Sequence, residues 1–336
     1  MARSIPIVAL SEMTPDMEAD LFVLMTSKEQ LTTKTGNPYY KVGFRDAKRE
    51  VSFPIWGDSP LAEQCREHWT PGNFYKVRAV FRETNFGPQL DIRRIREATD
   101  DDRDDGFDPG MCMPSAPRDS EEMFDDLLKI VKKHIKSKPL KAFVLHLLES
   151  NREGWLVCPA AKHHHHAYRG GLLEHTLAVT ENAVALADRY QTQYLDLDPP
   201  LDCELVVAGA ILHDIGKLRE LAALPSEIRY TSEGVLIGHL LMGRDMIREA
   251  SVEKTIDEET RLRLEHLVIA HQRLPEWGSP KPPMTPEALI VHYADDLDAK
   301  FRAMVDALAA DASLEQEYTS SKNPLRQNVF RGLDAS

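Results

Sequence analysis

The stretch 205-LVVAGAILHDIGKLRE-220 reads as a helix that is apolar on nearly every side and ends in two polar groups, His213 and Asp214. A helix apolar all round is a buried helix. Burying an imidazole beside a carboxylate is costly unless both are hydrogen-bonded or hold a metal ion. Gly216 lets the chain turn directly afterwards, and Lys217 adds a cation at the same end. An isolated His-Asp pair usually does no more than cap a helix, so this one takes its meaning from its neighbours.

The pair is not isolated. His175 lies on the preceding helical stretch, in GGLLEHT. Downstream, 290-IVHYADDLDAK-300 places Asp295 on an amphipathic helix, on the same side as Ala288 and Val291. One histidine, an adjacent His-Asp and a late aspartate make a His₂Asp₂ set drawn from three helices. Such a mixed set suits Mn²⁺, Fe²⁺, Zn²⁺ or Mg²⁺ and excludes none of them. His239, in 234-GVLIGHLLMG-243, and His271, in 264-LEHLVIAHQR-273, also have helical surroundings. If Asp214 bridges two ions, these two histidines complete the second. A pair of ions roughly 3.5–4 Å apart suits in-line phosphoryl displacement. His266 stands five residues before His271, about 140° round a helix, and is not expected to face the same ion.

The chain around this set is long enough for two domains. Its 336 residues are 42% apolar and 28% charged, the balance of a globular protein. No apolar run is long enough to span a bilayer, and the N-terminus MARSIPIVALSEM lacks the apolar core of a secretory signal. Cys65, Cys112, Cys158 and Cys203 are scattered without a C-x-x-C pair, which suggests four reduced thiols in a cytoplasmic protein.

A net charge of −13 argues against a protein that coats nucleic acid non-specifically. The charge is uneven, however: residues 1–97 hold 14 Lys and Arg against 13 Asp and Glu. That part also reads as strands. LFVLM (21–25), YYKVGFRD (39–46), VSFPIW (51–56), FYKVRAVF (74–81) and QLDIRRI (89–95) are rich in β-branched and aromatic residues and are separated by Gly/Pro/Asn turns. With one helical insert at 61–69, they predict a small OB-type β-barrel over 1–97, a fold that often holds single-stranded nucleic acid. Tyr39, Tyr40, Phe44, Trp56 and Phe86 could stack bases, although most aromatics in so small a barrel fill its interior. Arg78, Arg82, Arg93 and Arg94 are the weaker candidates for a strand-holding surface, and ordinary solvated charges otherwise.

Residues 98–118, acidic and punctuated by Pro and Gly, read as a solvated linker. From 119 to 316 the pattern is helical throughout. Asp119 and Glu122 resemble a capping box, Pro139 opens a second helix, and further helices fit 171–190, 202–214, 234–250, 258–272 and 285–310. The expectation is a two-domain α+β chain, a barrel followed by an all-α bundle, with a tail at 317–336.

The order His175, His213-Asp214, Asp295 resembles the HD-domain superfamily of metal-dependent phosphohydrolases, for which HDIGK is the most specific short motif. More fully, PAAKHHHHAYRGGLLEHT (159–176), AGAILHDIGKLREL, GHLLMG, EWGSPKPP (276–283) and HYADDLDAK look like the YhaM-type 3′–5′ exoribonucleases, which join an OB-fold to an HD domain. The resemblance implies one or two divalent ions, most often Mn²⁺, with His175, His213, Asp214 and Asp295 as principal ligands and His239 and His271 for a second ion. It implies a single-stranded RNA or DNA substrate, degraded from the 3′ end to nucleoside monophosphates. Asp214 and Lys217 are the candidate catalytic groups, Lys217 either offsetting charge on the phosphoryl oxygens or standing as a solvated helix-end lysine. Of the run His163–His166 the family pattern matches His165 and His166, which with Arg169 and Lys217 would line the path of the substrate phosphate. His271-Gln272 departs from the paired histidine common in the family. A phosphohydrolase of a small cyclic nucleotide or alarmone, or a non-catalytic nucleic-acid-binding protein, is the alternative. A homo-oligomer is left open.

Overall fold

The structure is a computed structural model that describes residues 5–33, 35–84, 87–162, 166–224, 227–310 and 317–333. It divides into two compact units. The first holds residues 1–115 with the segment Leu224–Glu227, and the second holds Ala116–Ala223 with Ile228–Ser336.

In the first unit five antiparallel strands form one sheet: β1 (Glu18–Thr32), β2 (Pro38–Arg45), β3 (Glu50–Trp56), β4 (Phe74–Thr84) and β5 (Gly87–Glu97), in the order β3-β2-β1-β4-β5. A helix, α1 (Ala62–His68), stands between β3 and β4. The first strand serves two partners. Glu18–Leu24 pairs with β4, Leu24–Thr32 pairs with β2, and the register shifts between Met25 and Ser27. A bulge of this kind bends a strand sharply, which lets one 15-residue strand cross the whole barrel where sequence marked only its apolar centre. This topology is that of the expected OB-type barrel.

Leu21, Val23 and Met25 enter the barrel core with Phe44, Trp69, Tyr75 and Val77. Phe22, which alternation turns to the other face, is buried all the same. The reason is the segment after β5. Residues Asp100–Asp105 and Pro109–Cys112 form two 3-10 helices, and Phe107 lays its ring 5.1 Å from that of Phe22. Asp102 is buried, with Arg96 bonding it at 2.6 and 2.7 Å and Lys76 at 3.3 Å. Cys112 is fully buried. The stretch expected to be a solvated linker is therefore a folded strap on the barrel. Its acidic residues misled because one of them is a buried counter-ion rather than a hydrated charge.

The second unit is a helical bundle: α2 (Ser120–His134), α3 (Lys138–Ser150), α4 (Arg152–Val157), α5 (Gly171–Gln193), α6 (Cys203–Leu212), α7 (Lys217–Glu220), α8 (Ser232–Leu236), α9 (His239–Glu253), α10 (Glu258–Ala270) and α11 (Pro286–Ala310). Asp119 caps α2 by accepting from Glu121 N and Glu122 N, and Thr285 Oγ1 accepts from Ala288 N at the start of α11. One departure from an all-α unit is a short hairpin, β6 (Leu221–Ala223) with β7 (Ile228–Tyr230). Another is the helix expected at 234–250, which is cut in two at Gly238, whose φ of +80° only glycine adopts readily. In the tail, Thr319 N donates to Val329 O and Tyr318 bridges Phe330.

Residues Leu205–Leu212 of α6 are all buried, packed among α5, α10 and α11. At Gly209 a Cβ would come within 2.7 Å of Leu267 Cδ1 on α10, so the helices close tightly there. The bundle core thus surrounds α6, whose C-terminal end carries His213 and Asp214.

Candidate metal centre

Helix α6 ends at Leu212, so His213 and Asp214 occupy its last turn and the bend beyond it. His213 Nδ1 donates to Ala210 O at 2.7 Å, which leaves Nε2 with its lone pair facing inward. From α5, His175 brings its Nε2 to 3.3 Å from His213 Nε2. From α11, Asp295 places Oδ1 at 3.2 Å from His175 Nε2 and 3.9 Å from His213 Nε2. Asp214 Oδ2 lies 3.4 and 3.6 Å from the same two nitrogens. Ligand atoms about 2.1 Å from one ion at tetrahedral or octahedral angles stand roughly 3.0–3.4 Å apart. The four side chains have close to that spacing, and His175, His213 and Asp295 form one of the metal-competent groups of the chain.

Asp214 has a second oxygen. Its Oδ1 is 3.5 Å from His239 Nε2 and 3.5 Å from His271 Nε2. Asp214 Oδ1 and His239 Nε2 are buried and have no hydrogen-bond partner among the described residues. Orphaned buried polar atoms are costly, and a cation between them removes the cost. His271 Nδ1 donates to Val268 O at 2.7 Å, and His239 Nδ1 faces Glu220 Oε1 at 3.1 Å. His175 Nδ1 likewise lies 2.7 Å from Asp298 Oδ2, so all four histidines have Nδ1 engaged with an oxygen and Nε2 turned to the shared space, the arrangement that metal-ligating histidines adopt.

Electrostatics point the same way. Burial lowers the His271 pKa, so it stands neutral and ready to ligate. Burial would also lower His175, but hydrogen bonds to Asp295 and Asp298 outweigh it and push the imidazole up to about 9. Burial would raise Asp214, but the Lys217 ammonium and His213 hold it well below the usual carboxylate range. The pocket is rich in buried carboxylate and calls for positive charge. The residues fit a divalent ion at each end of the Asp214 carboxylate.

Two glycines allow this convergence. A Cβ on Gly216 would lie 1.9 Å from His239 O, and one on Gly243 would lie 2.9 Å from Val268 Cγ1. The backbone after Asp214 runs directly against the start of α9, which is what carries His239 to Asp214.

Lys217 is largely but not fully buried, its side chain 11% exposed, with its Nζ 2.6 Å from Asp214 Oδ2. His166 is buried (4% exposed) at a φ of +55°. Its Nδ1 lies 2.9 Å from Glu174 Oε2 and 2.9 Å from Tyr168 Oη, and its Nε2 lies 3.3 Å from Asp298 Oδ2. The expectation that His166 lines an open phosphate path is corrected: it sits behind His175, walled in by Glu174, Tyr168 and Asp298. The Arg169 side chain is exposed and joins none of the cluster's bonds among the described residues, while its carbonyl accepts from Ala116 N. His165 lies outside the described residues, as do His163, His164 and Phe86. His266 accepts from Met284 N at 2.9 Å, a structural role.

Sequence reasoning missed the residues behind the ligands. Asp298 bonds His175 Nδ1 at 2.7 Å, Glu220 orients His239, and the buried His292 donates from Nδ1 to His271 O at 2.7 Å. The available signals were weak: Asp298 and His292 each lie three residues from Asp295, on its own helix.

In the barrel, Lys76, Arg78, Arg93, Arg94 and Arg96 line a groove of about 590 Å³ with Asp20, Leu61, Gln64 and Ile95. Within it Arg78 pairs with Asp20 at 2.7 Å and Arg93 with Asp91 at 2.9 Å, while Lys76 and Arg96 hold Asp102; Arg82, outside the groove, pairs with Asp16. Phe44 is wholly buried and cannot stack a base; Trp56 is half-exposed, with Tyr39 5.1 Å away.

Similarity to known proteins agrees with this geometry. The HD-domain family matches residues 172–300, which contain His175, His213, Asp214, His239, His271 and Asp295. A family described as a putative helicase matches residues 116–219, ending before His239, His271 and Asp295. Fold and site together define a metal-dependent hydrolase of the HD superfamily. The 3′-5′ exoribonuclease YhaM of Bacillus licheniformis is 33% identical over 293 residues, 87% of this chain and 88% of the relative. The chain belongs to the YhaM family. Two solved structures of a replication protein A domain from Methanococcus maripaludis, one of them described as its second OB-fold domain, align with 27% of this chain and 93% of their own. Their identities are 14% and 12% and their TM-score is 0.22, so the barrel assignment rests on its strand order. Among the described residues no helix is long and apolar enough to cross a membrane.

Proposed function

We propose that this chain is a 3′–5′ exonuclease of single-stranded RNA that releases nucleoside monophosphates and works with Mn²⁺. The observation that carries this reading is the Asp214 carboxylate, whose two oxygens face two separate sets of imidazole nitrogens. Divalent ions bound there would supply Lewis acidity, activating water and offsetting charge on the phosphoryl oxygens. The chain's own groups position and balance these elements. His175, His213, Asp214 and Asp295 would hold one ion, with His239, His271 and Asp214 holding the other. Lys217 gives one ammonium donor to Asp214, leaving others for a phosphoryl oxygen.

Single-stranded RNA as substrate is supported by the basic groove of the barrel, since degradation of a polymer benefits from a module that retains the strand. The name of the Bacillus relative supports the 3′–5′ direction. Single-stranded DNA is the natural second substrate for the same groove.

The test is digestion of 5′-labelled single-stranded RNA with and without Mn²⁺, beside Asp214→Ala. Progressive shortening from the 3′ end, lost in the variant and without metal, is expected. Intact RNA while cyclic or other small nucleotides are consumed would overturn the assignment.

A further inference from the structure

The end of α10 repeats the end of α6. His213 follows the last residue of α6, and its Nδ1 donates to the carbonyl three residues back, Ala210 O, at 2.7 Å. His271 follows the last residue of α10, and its Nδ1 donates to the carbonyl three residues back, Val268 O, also at 2.7 Å. In both places the next residue carries a side-chain oxygen: Asp214 in the first, Gln272 in the second. The two imidazoles meet edge to face, nearly perpendicular, with ring centroids 5.0 Å apart. Asp214 is a ligand in the reading above.

Consecutive residues within a helix diverge by about 100° and cannot both reach one ion. The helix has ended at Ala270, however, and Arg273 takes a φ of +67° that closes the turn with Arg273 N on Ala270 O. The Gln272 amide consequently comes back to 3.3 Å from His271 Nε2, the atom facing Asp214 Oδ1. That separation equals the one between the His175 and His213 ligand nitrogens. A half-turn about its terminal bond presents Oε1 in place of Nε2.

We infer that Gln272 is a ligand of the second ion, through its amide oxygen. This rests on the two-ion reading of the centre. The second site then consists of His239 Nε2, His271 Nε2, Asp214 Oδ1 and Gln272 Oε1, two nitrogens and two oxygens. A neutral amide oxygen is a harder donor than an imidazole, so the site is shifted toward Mn²⁺ and Mg²⁺ and away from Zn²⁺, relative to the same site with a third nitrogen. Because Gln272 is only partly buried while His271 is fully so, its position is also the side of the second ion open to solvent and substrate.

The experiment is Mn²⁺ binding to the full chain, read as free Mn²⁺ by electron paramagnetic resonance, with bound Zn²⁺ measured in competition. Two Mn²⁺ per chain are expected. Gln272→Leu should weaken the second ion by ~10–100-fold and leave the first unchanged. Gln272→Glu, which keeps an oxygen and adds charge, should bind the second ion at least as tightly as the parent. Gln272→His should retain two ions but raise Zn²⁺ over Mn²⁺ by about tenfold. Two equally tight ions in Gln272→Leu would overturn the assignment of Gln272 alone. Equal weakening in all three variants would make Gln272 a structural residue and overturn it as well. A single Mn²⁺ in the unaltered chain would remove the two-ion reading and this inference with it. Should Gln272→Leu unfold, Gln272→Glu still decides: second-site affinity below that of the parent would sink the proposal.

Discussion

His175 Nδ1 and Asp298 Oδ2 lie 2.7 Å apart, with Asp298 supplied by α11 one turn beyond Asp295. The bond fixes the imidazole ring and its tautomer so that Nε2 faces Asp295 Oδ1 and Asp214 Oδ2, and it raises the basicity of that nitrogen. Asp298 stands behind His175 as Glu220 stands behind His239. Replacing it with Asn keeps the shape and removes the charge. Asp298→Asn is expected to lower metal affinity and turnover by ~10–100-fold. Calorimetric titration with Mn²⁺ checks this, and unchanged affinity would reduce Asp298 to a packing residue.

His166 bears on the same bond from the far side, contacting Asp298, Glu174 and Tyr168 within a buried pocket. Its loss should therefore weaken metal binding rather than substrate binding. For His166→Ala we expect a several-fold rise in the Mn²⁺ dissociation constant with KM for RNA little changed at saturating metal. A rise in KM alone would restore a role on the substrate path.

Gly216 owes its presence to contact rather than to backbone conformation, since its φ is −62°. A methyl group there would be driven against His239 O and Gly243 N, at 1.9 and 2.6 Å. These are backbone atoms that cannot swing away, so α9 must move and carry His239 off Asp214. Gly216→Ala should cost about 3 kcal/mol or more, a fall in Tm of roughly 6–12 °C for a unit of this size. The second ion should be lost first. A variant with parental Tm and two bound ions would contradict the close approach of α9.

The cluster of His175, His213, Asp214 and Asp295 was legible because burial makes polar residues conspicuous: an all-apolar run ending in His213-Asp214 demands a partner for each. The helices were legible for a related reason, clearest in α2, where Phe124, Leu127 and Val131 recur at helical spacing on the buried face. What stands behind the ligands was not. Glu174, Glu220 and Asp298 look like ordinary helix-surface acids until tertiary packing closes over them, and no local pattern distinguishes them from Glu181 or Asp296. The strap after β5 failed for the opposite reason. Asp102 sits in a run of acidic residues whose collective look is that of solvated chain, yet it is buried and paired with both Arg96 and Lys76, which anchors the segment. The break at Gly238 was visible as a residue but not as an event, because glycine within a helical pattern is common and only its φ reveals the turn.

The barrel's dependence on pH follows from that ion pair. The bonds from Arg96, the Thr99 backbone and Lys76 hold the Asp102 carboxyl well below the usual carboxylate range despite its burial. A folded-state pKa depressed below the unfolded value of about 3.9 contributes stability that is present above that value and is lost as pH falls below it. The strap should thus be fully seated at neutral pH and should loosen only in acid. Asp102→Asn removes the charge at every pH and leaves Lys76 and Arg96 facing a neutral amide, at a cost of about 2 kcal/mol at pH 7. Hydrogen exchange of the barrel amides, followed from pH 7 to pH 3, separates the two proteins. The parent should lose protection in Phe74–Glu97 and the strap as the pH falls below about 4, whereas the variant should start lower and change little over the same window. A parent whose protection stays flat to pH 3 would show that the Asp102 charge does not seat the strap, and a variant that retains the parental acid transition would show that another carboxylate governs it.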